Sequence, residues 1–96
     1  MKFMIHWSSD PETRHDAYKA FAQMSEAEDQ ADHAGVALIG QWHDVVAGAG
    51  VAICESESLA DVQAWVLNWN GILEVDVTPV LGDDECRTML KKKWGL

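Results

Sequence analysis

Two histidines and two carboxylates carry the most evident chemistry in this chain. His6 stands in the stretch KFMIHW, His43 in LIGQWHDVV, and Glu74 and Asp76 alternate in LEVDVT. Each histidine has a tryptophan beside it, Trp7 and Trp42. An imidazole set against a carboxylate can act as a general acid/base pair, because the carboxylate orients the ring and raises its pKa into the working range. The same pair can equally serve as a cross-strand ion pair that fixes register. A metal site built from His6, His43 and one carboxylate is the other chemistry to weigh. If one strand lies between the two histidines, their backbones are about 9.6 Å apart. A zinc ion needs each nitrogen at about 2.0–2.1 Å, so both rings would have to lean over the intervening strand. The spacing matches no metal-binding signature. No metal and no cofactor are therefore assigned.

These side chains are positioned by the elements that the pattern predicts. Lys2 to Trp7 alternates as a strand, and Asp10-Pro11 is a helix start followed by the apolar stripe Ala17, Phe21 and Met24. Ser25-Glu26-Ala27-Glu28 reads as a second cap, so the helix breaks and restarts before Gly35. Val36 to Val45 and Val51 to Glu55 form a hairpin around Ala47-Gly48-Ala49-Gly50. Ser58 caps a helix with the stripe Leu59, Val62, Val66 and Trp69, Trp65 alongside, and Asn70-Gly71 ends it. Leu73 to Leu81 is the fourth strand, and Asp83 caps a last helix carrying Cys86, Met89, Leu90 and Trp94. Residues 1–96 thus form one α+β domain of order βαββαβ plus a C-terminal helix. Its predicted sheet is ferredoxin-like, antiparallel, with strand order 4-1-3-2.

Strand alternation then predicts two faces. The helices are expected to cover Phe3, Ile5, Trp7, Leu38, Trp42, Val51, Ile53, Leu73, Val75 and Val77. The other face would carry Met4, His6, Ile39, Gln41, His43, Ala52, Cys54, Glu74, Asp76 and Thr78. On this reading His6, His43 and the carboxylates wall a shallow hollow floored by small residues. A half-apolar open face of this kind is commonly closed by a second copy, so a homodimer is expected. Cys54, with no activating charge in view, reads as a small packing residue, and His15 and His33 as solvated.

Composition narrows the partners. Sixteen acidic residues against seven basic ones give a formal charge of -9, which repels phosphate backbones, so nucleic acid is not an expected partner. Lys91, Lys92 and Lys93 complement the dipole of the last helix. No apolar run is long enough for a membrane span, and no signal segment is visible. Two cysteines make no disulfide framework, so a reducing, cytoplasmic setting is expected.

The stretches KFMIHW, LIGQWHDVV and LNWNGILEVDVTPVL, with the acidic GDDE that follows, resemble a family of small bacterial and phage proteins known as DUF3303. The resemblance covers essentially the whole chain. It implies a ferredoxin-like fold of the dimeric α/β-barrel type, and it brings no activity and no catalytic residue with it. Two functions follow as expectations. The first is a homodimeric α/β-barrel module that binds a small, partly apolar ligand against Met4, His6, Ile39, Gln41, His43, Glu74 and Asp76. The second is a cofactor-independent enzyme of isomerase or monooxygenase type, with His6 as base and Glu74 or Asp76 orienting it, an idea that rests on fold analogy alone.

Overall fold

The computed structural model describes residues 1–96. The chain runs β1 (Lys2–Ser8), α1 (Pro11–Gln23), α2 (Glu26–Asp32), β2 (Ala37–Asp44), β3 (Ala49–Glu55), α3 (Leu59–Leu67), β4 (Glu74–Val80) and α4 (Asp83–Trp94). The strands form one antiparallel sheet in the order β2-β3-β1-β4. This is the expected 4-1-3-2 arrangement read from the other edge.

Local signals set the helix starts. Pro11 occupies the first turn of α1, where its missing N–H costs nothing. Ser25 accepts from the Glu28 backbone N–H at 3.1 Å while the Glu28 carboxylate accepts from Ser25 N at 3.3 Å, a complete capping box. Ser58 caps α3 by accepting from Asp61 N. Gly82, not Asp83, is the cap residue of α4, and its first turn carries Asp83, Asp84 and Glu85. Lys2 donates to Glu85 at 3.0 Å and ties that turn to β1. This hydrogen bond holds the Glu85 carboxyl below its ordinary range and the Lys2 ammonium above its own. No residue of α4 is buried.

The core lies between the sheet and α3. Phe3, Ile5, Val36, Ala52, Cys54, Val62 and Trp65 form one buried cluster, with Trp7, Leu38, Val66, Trp69, Val75 and Val77 packed against it. Residues directly opposite on antiparallel strands share a face. Phe3 is opposite Cys54, Ile5 opposite Ala52 and Trp7 opposite Gly50. Large residues of β1 are thus matched by small residues of β3, and the pairing keeps the layer under the helices filled without overpacking. Gly50 is the limiting case, because a Cβ there would collide with the Trp7 indole.

This register corrects the expected faces on two strands. On β3, Ala52 and Cys54 point to the helices and Val51 and Ile53 to the open face, opposite His6 and Met4. Ranking β3 positions by their own apolarity reverses the strand, since what decides is the bulk of the residue opposite. On β2 the cause is a bulge. Leu38 pairs with Cys54 but Gly40 pairs with Ile53, which leaves Ile39 as the extra residue. One inserted residue inverts every later side chain. Gln41 and His43 therefore sit on the helix face with Ala52 and Gly50, while Trp42 stands on the open face with Val51. Trp42 lies across Gly40, whose missing Cβ leaves room for the indole in this position. His6 and His43 are on opposite faces, so they neither wall a common hollow nor share a metal.

Candidate functional site

The flip of β2 delivers His43 and Gln41 into a cleft between the sheet and α1, α2 and α3. Three tethers place the helices around it. At one end, Ser9 donates through both its backbone N–H and its hydroxyl to Gly48 O, each at 2.8 Å, stapling the β1–α1 loop to the hairpin. Arg14 donates to Ser9 O and Val46 O, and the Tyr18 hydroxyl donates to Val45 O at 2.6 Å. Helix α1 is thereby held over the hairpin, which brings Ala17, Tyr18 and Phe21 to the cleft wall.

At the other end, Asp32 ties the last turn of α2 to the last turn of α3 and to the turn that follows it. Its Oδ2 accepts from the indole N–H of Trp65 at 3.1 Å and of Trp69 at 2.8 Å. Its Oδ1 accepts from the Asn68 amide at 2.9 Å. Trp65 and Trp69 are four residues apart on one helical face, which is why one carboxylate reaches both. His33 follows at the end of α2, half-buried, with Nδ1 3.0 Å from Val36 O and its ring edge-on to Trp65 at 5.9 Å. His33 is thus a packed residue and not the solvated one that the sequence suggested. His15 is exposed.

The cleft is half open to solvent and holds about 80 Å³ of free space, and ten of its sixteen lining residues are hydrophobic. Trp7, Tyr18, Phe21, Trp65 and Trp69 line it together with His33, His43, Gln41, Asp29 and Asp32. The His43 ring lies 5.4 Å from Trp7 and 5.1 Å from Phe21, centroid to centroid. Asp29 has no side-chain hydrogen bond, and neither Asp29 nor Asp32 takes part in an ion pair.

The open face holds the other residues that the sequence singled out. His6 is directly opposite Asp76 across β1 and β4, with Glu74 opposite Ser8. His6, Glu74 and Asp76 line a wide, shallow and mostly polar depression with Ser8 and Asn70. No hydrogen bond or ion pair joins His6 to either carboxylate, and all three side chains are exposed. Met4 is half-buried and Ile39 is exposed at the bulge. Of the seven residues read as one ligand-binding set, Gln41 and His43 thus belong to the cleft and Met4, His6, Glu74 and Asp76 to the opposite face. No group of three or more histidine, cysteine or acidic side chains is placed to hold a metal ion. Burial raises the Cys54 thiol pKa, partly offset by a backbone hydrogen bond with Phe3, so the group is a packed thiol and not a nucleophile.

Sequence reasoning missed Tyr18, Phe21, Asp29, Asp32, His33, Trp65 and Trp69 as cleft residues. The i, i+4 spacing of Trp65 and Trp69 was the available signal, since two indole N–H groups on a buried helical face must find an acceptor.

Four antiparallel strands carrying two crossover connections, with an aromatic cleft between sheet and helices, define a ferredoxin-like α+β domain. The chain belongs to the family described as domain of unknown function DUF3303, whose model matches residues 1–94. No curated protein matches the chain. No helix is long and apolar enough to cross a membrane.

Proposed function

We propose that the protein is a homodimeric module of the α/β-barrel type that binds a small, partly apolar molecule in the cleft under its helices, one per chain. The observation that carries this reading is the cleft itself: an aromatic-walled space with a few convergent polar groups, the usual form of a small-molecule site. Its size sets the ligand. A dry protein cavity of about 150 Å³ admits benzene, so 80 Å³ takes a group of a few heavy atoms, the remainder lying in the mouth.

Surface area supports the dimer. A monomer of this mass exposes roughly 5,500 Å², whereas this chain exposes 6755 Å². Its radius of gyration is 15.6 Å against about 12.5 Å for a compact chain of the same length. The correction on β2 and β3 also makes the open face more apolar than the sequence reading had it, with Met4, Trp42, Val51 and Ile53 displayed together. Two free cysteines suit the reducing cytoplasm as its place of work.

Native mass spectrometry of the untagged protein, purified gently and without chelator, tests both halves. The expected result is a dimer carrying up to two copies of one added mass. A monomer removes the dimer, and a dimer that stays bare across preparations removes the resident ligand.

The register of His6 opposite Asp76 favours a second reading, a cofactor-independent enzyme with His6 as base and Asp76 or Glu74 orienting it. Replacing His6 by alanine separates this from a structural pair. A catalytic His6 predicts lost turnover of the bound molecule with the dimer intact, and an interface His6 predicts a weaker dimer with ligand binding unchanged.

A further inference from the structure

The charge of the cleft says which ligand it takes. Among its lining residues are two carboxylates, Asp29 and Asp32, two imidazoles, His33 and His43, and no lysine or arginine. The guanidinium of Arg14 abuts Gly48 at the hairpin end of the cleft, where it donates to the carbonyls of Ser9 and Val46 and has no carboxylate partner, its Nε being buried and unbonded. The one fixed positive charge thus lies behind the cleft wall and not among the lining side chains. Asp32 is oriented by three N–H donors, all from neutral side chains, so its negative charge is solvated by dipoles but has no counter-ion. Asp29 lacks even those. Both carboxylates are half-buried, where an unpaired charge acts over distance more strongly than in water.

The aromatic walls act in the same sense. The ring faces of tryptophan, tyrosine and phenylalanine are negative, and cations within about 6 Å of a ring centroid are attracted to them. Donating an indole N–H to a carboxylate adds to this, since hydrogen bonds in a chain polarise one another. Trp65 and Trp69 both donate to Asp32. An anion is repelled by both carboxylates, and a neutral group keeps the apolar contact and the polar groups of Gln41, His33 and His43 but gains nothing from the charge.

We infer that the cleft is a receptor for a small organic cation, an alkylated or primary ammonium headgroup seated among Trp7, Phe21, Trp65 and Trp69 with Asp29 and Asp32 as its counter-charge. The inference rests on the cleft being a ligand site. A compact ammonium group with its methyl substituents suits 80 Å³, and the uncharged remainder of such a molecule would extend past Phe21, which is exposed at the rim.

Three probes of one shape and different charge decide it: choline, its neutral isostere 3,3-dimethylbutan-1-ol, and the anion 3,3-dimethylbutanoate. Each is titrated into the full chain, and the indole N–H proton resonances of Trp65 and Trp69 are followed. Choline is expected to bind about tenfold more tightly than the alcohol, and the anion least. Asp29→Asn, which disturbs no hydrogen bond of the fold, is expected to weaken choline severalfold and leave the alcohol unchanged. An alcohol that matches choline overturns the charge selection while the cleft reading stands. Failure of all three probes to move either resonance overturns both.

Discussion

Replacing Asp32 by alanine is expected to destabilise the protein by about 3 kcal/mol. Trp65 is 8% exposed and its indole N–H has no acceptor other than Asp32. The Trp69 N–H depends on the same carboxylate, and the Asn68 amide donates both to it and to the Asp32 backbone carbonyl. A buried donor stripped of its partner costs about 1–3 kcal/mol, and hydrogen bonds to a charged group are at the strong end of the range. Two indoles lose such a bond at once, while Asn68 is exposed and turns to water. The loss also separates α2 from α3, which form adjoining walls of the cleft, so probe binding falls together with stability. Asp32→Asn retains an oxygen for the indoles and gives up only the charge, and about a third of the effect is expected. Urea unfolding, with Asp29→Ala as the control for a cleft carboxylate that bonds nothing, measures both. An Asp32→Ala variant as stable as Asp29→Ala would remove the clamp from the account.

How much of this was legible in the sequence depends on which kind of signal each element carries. The order of elements, the helix breaks and the strand order follow from caps, turn residues and periodicity. These signals are local, and Pro11, the Ser25–Glu28 box and Ser58 act within four residues of themselves. Facing is different, because it depends on the neighbouring strand. Val51 and Ile53 are larger than Ala52 and Cys54, and their apolarity reads as burial until Phe3 and Ile5 are seen opposite the small pair. The bulge at Ile39 has no composition of its own, though Gly40 beside Trp42 is its trace, a residue without Cβ under an indole that folds back along the strand. The carboxylate Asp32 was invisible for a third reason. Its partners are 33, 36 and 37 positions away, and no spacing rule joins the end of one helix to a stripe on another.

The facing of β3 yields the second large prediction, a pair of adjacent substitutions with opposite outcomes. Cys54 is wholly buried against Phe3 and α3. An aspartate there places an unpaired carboxylate in the core, a cost of several kcal/mol against a total stability of about 5–15 kcal/mol. Cys54→Asp is therefore expected to abolish folding, seen as loss of near-ultraviolet circular dichroism and of a cooperative urea transition. Ile53 points the other way, into the open face between Met4 and Gly40. In a single chain Ile53→Asp exchanges a half-exposed isoleucine for a solvated charge on a central strand, at about 1 kcal/mol or less. In a dimer closed through that face, the same aspartate is taken out of water against its two-fold mate, and Lys2, the lysine that β1 places on that face, is already paired with Glu85. The interface would bury about 800 Å² per chain if it is of ordinary size, and an unpaired charge at its centre is expected to weaken association by a factor of about a thousand. Sedimentation equilibrium should show folded Ile53→Asp monomers. If instead Ile53→Asp unfolds and Cys54→Asp stays folded, the register is wrong and the first reading of the strand was right. If Ile53→Asp folds and the dimer persists, the copies meet through some other surface, and the exposed Trp42 beside half-buried Met4 and Val51 must be explained without a second chain.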